Sequence, residues 1–285
     1  LPPIREEEAM DLIIRDASPE DMDDVAEISR KTWEGNDYLE NVSSQWLNDS
    51  GFIAGELGGR VIACGKITGM PGKIAWLEGL RVHPDFRGNG YGRVMSQRIL
   101  DIALMKVESG EFSAIEFSTY INNVESRIMA ERQGFAITEF FHVVGLDGLH
   151  CETSAITIEK VRPSASDFSV YPEHAPCGWK FIHHSAEGSL DWMRGNAEFW
   201  QASTGARFLA SARGAEISPL TDSLSDPTGF IRGAFALAGI KKINTMEMMI
   251  HDGHREILSA ALNEGFAYWE TPGEANLPVY RFTGK

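Results

Sequence analysis

Cysteine is scarce in this sequence: Cys64, Cys151 and Cys177 are the only three, far apart and with no CxxC pair among them. Scattered thiols in odd number exclude a disulfide framework and a zinc ribbon and suit a reducing compartment, so a cytoplasmic location is expected. No apolar run reaches the ~18 residues of a membrane-spanning helix, which removes the membrane as a partner. The opening Leu1–Met10 lacks the basic start and apolar core of a signal peptide and reads as a tail. Cations are also in deficit, with 26 Lys and Arg against 41 Asp and Glu, a net charge of −15. Residues 11–160 carry −10 of this and residues 161–285 only −3. Such a surface repels nucleic-acid phosphates, excluding DNA and RNA, and attracts a cationic amine. Metal-ligand spacing is thin as well. His174, Cys177, His183 and His184 form the one cluster, and it reads as a polar loop, so no metal is expected.

The sequence is rich, by contrast, in alternating strand and helix signals. Leu12–Ala17 reads as a strand, and Ser18-Pro19-Glu20-Asp21 opens a helix with a hydroxyl cap, an early proline and acids in the first turn. Val25, Ile28 and Ser29 form its buried stripe. A second helix is expected from Asp37 to Leu47, because Asp37 and Glu40 have capping-box spacing. Phe52–Leu57 turns at Gly58-Gly59 into Arg60–Ile67, and Ile74–Val82 follows, making a three-strand meander. A helix from about Tyr91 to Val107, a strand Ile115–Thr119, a helix Val124–Gln133 ended by Gly134 and a strand Phe135–Val144 complete the order. The pattern β-α-α-β-β-β-α-β-α-β implies a mixed α/β (α+β) layer architecture.

The informative stretch is Leu80-Arg81-Val82-His83-Pro84-Asp85-Phe86-Arg87-Gly88-Asn89-Gly90-Tyr91-Gly92, where a strand meets a glycine loop and then a helix. Glycine lets backbone approach a ligand closely, and a helix start leaves amide N–H groups unpaired; together these make a phosphate site. A dinucleotide fingerprint would need glycine in place of Arg93 or Val94, and a Walker loop would need Gly-Lys-Ser/Thr; both fail. The stretch instead resembles the signature Arg/Gln-x-x-Gly-x-Gly/Ala, preceded by Leu-x-Val-x-Pro, of the GCN5-related N-acetyltransferase (GNAT) superfamily. Asn123, Ser126, Gly134 and Phe135 look like that family's helix–strand corner, and the resemblance covers residues 12–145.

The resemblance implies acetyl-CoA as co-substrate. Amides from Arg87 through Gly88, Asn89, Gly90 and Tyr91 to Gly92, flanked by Arg93, would hold its pyrophosphate. Leu80, Arg81 and Val82 would splay from Phe117–Thr119 to pair with the pantetheine arm. Asn123, with Ser126 on the same helix, would hydrogen-bond the cofactor. A backbone N–H near Leu80 or Val82 would receive the oxyanion. Acylation needs a neutral amine, hence a base, and Glu78 on the same strand is the first candidate, with Glu116 second. Family members often carry a tyrosine seven residues after the asparagine as the acid for the leaving thiolate. Ala130 stands there, which leaves Tyr120, Tyr38 or water for that task.

At a constant offset of 131, Glu116, Ala130, Gly134, Phe135 and Ala136 recur as Glu247, Ala261, Gly265, Phe266 and Ala267. The expected organisation is a tail over 1–10, a GNAT domain over 11–160, a linker at 161–167, and a degenerate GNAT-like domain over 165–285. The offset puts the second phosphate loop near Ser218–Ser223, where no glycine pair occurs, so this copy should not hold CoA and would wall the acceptor cleft. Strands are expected at Asp167–Tyr171, Trp179–Ile182 and Arg207–Ala212. A helix is expected over Ser189–Thr204, with Trp192, Phe199 and Trp200 in the core. The block Trp33-Glu34-Gly35-Asn36-Asp37-Tyr38-Leu39 with Trp46-Leu47 looks like the vertebrate histidine N-acetyltransferase family. It implies a free amino acid or small amine as acceptor, with Glu34, Asp37 and Tyr38 as lining residues. Alternatives are a protein or peptide N-terminal acetyltransferase and a non-catalytic acyl-CoA sensor; a homodimer is compatible with all three.

Overall fold

The computed structural model describes residues 12–35, 37–149, 156–212 and 214–284. The expected tail, Asn36 and Cys151 lie outside the described residues. Two compact units divide the chain. The first runs to Phe117 and adds Met129–Gly134 and the stretch from Phe282; the second comprises Ser118–Ile128 and Phe135–Arg281.

In the first unit, β1 (Ile13–Asp16), β2 (Phe52–Leu57), β3 (Arg60–Met70), β4 (Ile74–Val82) and β5 (Ala114–Ser118) lie side by side in that order. The first three contacts are antiparallel and β4–β5 is parallel. Helix α1 (Met22–Arg30) follows a short 3-10 turn at Pro19–Asp21 rather than starting at Pro19. The sequence signal is nevertheless used, since Asp21 accepts both the Ser18 N–H at 2.7 Å and the Ser18 hydroxyl at 3.1 Å. Helix α2 (Leu39–Asn48) corrects a sequence expectation: Tyr38 is its cap position, and Asp37 and Glu40 form no capping box. Ser29 replaces that box by accepting the Glu40 N–H at 3.1 Å, while Asp37 is drawn elsewhere. The stripe Val25, Ile28, Leu39 and Trp46 packs on Phe52, Ala54, Val61 and Cys64 to form the core beneath α1 and α2. Helix α3 (Tyr91–Glu108) packs its Ile99 against β3 so closely that a Cβ at Gly65 would lie 2.5 Å from Ile99 Cδ1.

Helix α4 (Val124–Gln133) leads into β6 (Phe135–Asp147). The second unit continues with β7 (Ile158–Lys160), the hairpin β8 (His174–Cys177) and β9 (Lys180–His183), α5 (Ser189–Asn196), β10 (Ala197–Ala202), β11 (Arg207–Ser211) and β12 (Glu216–Pro219). It ends with α6 (Pro227–Lys241), β13 (Thr245–His251), α7 (Arg255–Asn263) and β14 (Leu277–Phe282). Its main sheet runs β14-β6-β13-β12-β11-β10-β7. Here β7–β10, β10–β11 and β11–β12 are antiparallel and β12–β13 is parallel. That is the pairing scheme of β1 to β5 repeated, so the second half repeats the sheet of the first. The division into units departs from the expected boundary at 161–167 because β6 is hydrogen-bonded to β13, from Thr245↔Asp147 to His251↔Phe141.

Three expectations for this half change. Asp167–Tyr171 is not a strand: Ala165–Phe168 is a 3-10 turn, opened by Ser164 and Asp167 in a capping box. The helix from Ser189 stops at Asn196, and Phe199 and Trp200 lie on β10, buried as expected but in a strand. Consecutive aromatics after Gly195 favour the pleat, where neighbours face opposite sides and both find cover. The segment around His174 is not a polar loop either, since β8 is buried along its whole length. His174 Nδ1 meets Glu139 at 2.6 Å, and burial pushes the Cys177 thiol up to about 12.

The core of this unit gathers Phe208, Phe230, Leu237, Met246, Met248, Ile250 and Ile257. At its edge Glu216 and Glu247 face each other across β12–β13. Burial, with Glu216 next to it, raises Glu247 from 4.5 to about 7. Below pH 4.5 Glu247 is protonated in both folded and unfolded chains and has no effect. Between pH 4.5 and 7 the unfolded chain has released this proton while the folded chain still holds it, so folded stability falls across that window and levels off above it. Glu247→Gln should therefore leave the melting temperature unchanged near pH 4 and raise stability by roughly 2 kcal/mol at pH 8. Thermal melts across that range read the difference; an equal gap at both ends would remove Glu247 as its cause.

Candidate functional site

The site is built on the end of β4. The β4–β5 ladder joins Ile74↔Ala114, Ala75↔Ile115 and Trp76↔Glu116 and goes no further among the described residues. The rest of β4, from Leu77 to Val82, is thus splayed from its parallel neighbour. On its other side the register with β3 shifts between Cys64 and Lys66, which pair with Arg81 and Glu78. Gly79 and Leu80 form a bulge there, which bends the strand and takes Leu80 out of regular pairing. Gly79 makes the bend possible: its φ is +67°, and a Cβ would lie 2.4 Å from the Trp46 ring. The Leu80 and Val82 carbonyls are not bare, for Arg81 Nη1 and Arg87 Nε each donate to one at 3.0 Å.

Beyond β4, His83 turns the chain. It is fully buried and its Nδ1 accepts the Asp85 N–H at 3.2 Å. Its Nε2 therefore carries the hydrogen that meets Glu27 at 3.3 Å. Hydrogen bonds from Lys31, His83 and Arg60 pull Glu27 down to about 2. Sequence reading missed His83 as an anchor; the only signal was its place directly before Pro84.

The loop from Arg87 to Gly92 follows. Gly88 and Gly90 both have φ of +78°, and a Cβ on either would meet nothing within 4 Å, so the loop is open above its backbone. The Arg87 N–H is used by Pro84 O at 3.2 Å, and Arg93 and Val94 donate to Gly90 O at 3.0 and 3.1 Å. Among the described residues the amides of Gly88, Asn89, Gly90, Tyr91 and Gly92 have no such partner. Gly90 caps α3 without any side-chain bond. The donor row is thus one residue shorter than expected, starting at Gly88. Unpaired N–H groups at the positive end of an 18-residue helix form an anion cradle. The Tyr91 ring is buried against Leu12 and Ile62, which fixes the helix start. Arg93 is exposed on its first turn.

Glu78 is half-buried on β4 and accepts the Thr68 hydroxyl at 2.5 Å. Glu116 is fully enclosed at the last rung of the ladder, a poor place to exchange protons with an incoming amine. Asp37 is not available as an ammonium partner, since its buried carboxylate is bound bidentately by Arg81, at 2.9 and 3.1 Å. Burial works against the Arg81 charge, yet the bonds from Asp37 leave its pKa above the ordinary arginine value. The Arg81 guanidinium also lies 4.3 Å from the Trp33 ring and 5.5 Å from Tyr38. Trp33 and Tyr38 are solvent-exposed at 58% and 40%, so neither is core, and Glu34 beside them is exposed with φ of +57°. Asp37→Ala should leave the Arg81 cation unpaired in a half-buried setting and cost about 3 kcal/mol. Urea unfolding reads that loss; a midpoint within error of the parent would show that the pair does not hold the 33–38 loop.

Tyr120, Asn123 and Ser126 belong to the second unit. The Tyr120 hydroxyl is buried, and burial raises its pKa although the Asn276 side chain works against the shift. Asn123 is exposed just before α4, with its amide 3.1 Å from the Thr119 hydroxyl; Ser126 is half-buried on that helix. Ala130, at the family's tyrosine position, is buried in α4.

A splayed parallel strand pair, a bulge on the fourth strand and an unpaired amide loop opening the third helix define a GNAT fold. Residues 21–135 match the acetyltransferase (GNAT) family. No curated protein matches the chain. A candidate acetyltransferase from Pyrococcus horikoshii is similar over 96% of this chain and 90% of its own, at 17% identity and a TM-score of 0.65. A GCN5-related N-acetyltransferase from Sphaerobacter thermophilus covers 98% and 96%, at 12% identity and a TM-score of 0.62. A tandem GNAT protein from the clavulanic acid biosynthesis pathway covers 95% and 97%, at 12% and 0.58. These likenesses define the fold, including its tandem form.

Proposed function

We propose that this protein is an N-acetyltransferase that moves the acetyl group of acetyl-CoA to a primary amine, in a ternary complex of both substrates. One observation carries the reading: among the described residues, five consecutive amides, Gly88 to Gly92, lack partners at the start of α3, beside a strand released from its neighbour. The pyrophosphate would lie on those amides. The thioester would lie along β4 near the bulge.

Chemistry then follows from the residues on β4. The neutral amine attacks the thioester carbonyl, a C–N bond forms, and the oxyanion is received by backbone N–H near Leu80. Glu78 accepts the proton released by the amine, directly or through water, with Thr68 fixing its second oxygen. The carbon–sulfur bond breaks and the CoA thiolate takes a proton from water or Tyr38. Glu78 is favoured over Glu116 because it is half-buried and Glu116 is enclosed. The acceptor is a free amino acid or small amine, supported by the resemblance of the 33–47 block and by the net charge of −15. Glu34 and Tyr38 are the candidate lining residues, whereas Asp37 acts through Arg81.

CoA release measured with free amino acids, small amines and peptides tests the reading. Turnover on free amines alone is the expected result. Turnover on peptides alone would make this a peptide acetyltransferase, and binding without turnover on any amine would make it a sensor.

A further inference from the structure

The second half carries a splay like that of the first. The β12–β13 ladder joins Glu216↔Glu247 and Ile217↔Met248, after which β12 runs on to Pro219 and β13 to His251. In the first half the corresponding gap is assigned to the cofactor arm. In the second half, residues from Ser166 to Tyr171 are anchored to the end of β12 and to the residues around it. The Tyr171 phenol donates to the Pro219 carbonyl at 2.7 Å, deep in the unit. His254 Nε2 donates to the Val170 carbonyl at 3.0 Å. The Thr221 hydroxyl, just past β12, lies 3.0 Å from Ser166 O and 2.8 Å from Asp167 O. Asp167 is in turn gripped by Arg207, and Phe168 and Tyr171 are 1% and 3% exposed.

These anchors stand where the first half presents its cofactor groups. His254 follows Asn123 by the same offset of 131 and precedes α7 as Asn123 precedes α4. Pro219 ends β12 as Val82 ends β4. At the start of α6, where the first half leaves amides unpaired, the Asp226 carboxylate accepts the Gly229 N–H at 3.0 Å. A Cβ at Gly229 would lie 1.8 Å from that carboxylate, so the arrangement requires glycine. An open splay would leave backbone donors and acceptors buried without partners; the chain satisfies them with its own groups.

We infer that Ser166–Tyr171 is a built-in occupant of a cofactor-type groove in the second half, standing in for the pantetheine arm while Asp226 stands in for phosphate. The second half is then closed to acyl-CoA by its own chain and not merely by the lack of a glycine pair. The nature of the groove rests on the reading of the first half given above.

Amide exchange on the full chain tests this, with pantetheine as the probe. In the intact protein, Ser166–Tyr171 should exchange as slowly as the neighbouring core, and millimolar pantetheine should leave Ser218–Ser223 unchanged. The double variant Tyr171→Phe/His254→Ala cuts both anchors. It should speed exchange at Ser166–Tyr171 by at least ~10-fold, at ~1 kcal/mol per lost hydrogen bond. Pantetheine should then slow Ser218–Ser223. Fast exchange of the segment in the intact chain overturns the inference, as does a folded double variant whose segment stays slow or whose freed groove ignores pantetheine. If the double variant does not fold, the intact-chain exchange decides. Failure of acetyl-CoA to bind the first half is a separate result, since these readouts concern second-half amides only.

Discussion

Gly90→Val is expected to weaken acetyl-CoA binding by more than ~100-fold while the protein stays folded. Gly90 has a φ of +78°, a region that a β-branched residue enters at a cost of ~1–3 kcal/mol. A Cβ at this position would meet nothing within 4 Å beyond its chain neighbours, so the fold leaves room for it. On the function proposed above, what it would meet is the ligand, whose phosphate oxygens would lie against the backbone N–H groups of this loop. Calorimetry with acetyl-CoA, paired with a thermal melt, separates lost binding from lost structure. Parent-like affinity in the variant would show that phosphate does not sit on this loop.

Glu78→Gln should lower kcat by ~10²–10⁴-fold and leave acetyl-CoA affinity nearly unchanged. The amide keeps an oxygen for the Thr68 hydroxyl, so the local geometry survives while the proton acceptor is lost. The acid limb of the pH–rate profile should weaken with it. If Glu78 only anchors the positive charge of the acceptor, the acceptor KM rises and kcat persists. A variant with parent kcat and an intact acid limb would remove Glu78 as base.

Much of this was legible from residue order alone, for identifiable reasons. The glycine loop between β4 and α3 was readable because strand, closely spaced glycines and helix start occur in one short stretch, and each imposes a local backbone requirement. The repeat was readable because Gly134 and Gly265 end equivalent helices, α4 and α7, before equivalent apolar residues. What failed was what depends on partners distant in sequence. Asp37 looked like a helix cap by spacing, but Arg81, 44 positions away, binds its carboxylate. Phe199 and Trp200 kept helical spacing yet pair as a strand with β11 and β7. Gly79 carried no warning that Trp46 would lie against it. The hydrogen bonding of β6 to β13 joins residues from 98 positions apart (Thr245 and Asp147) to 110 (His251 and Phe141), so no local pattern could place β6 in the second unit.

Amide exchange at Gly88–Gly92, followed with and without acetyl-CoA, tests the central claim most directly. These five N–H groups have no partner among the described residues, so they should exchange fast and slow sharply if pyrophosphate binds them. Saturating acetyl-CoA that leaves all five fast, with protection appearing elsewhere or nowhere, would contradict the account.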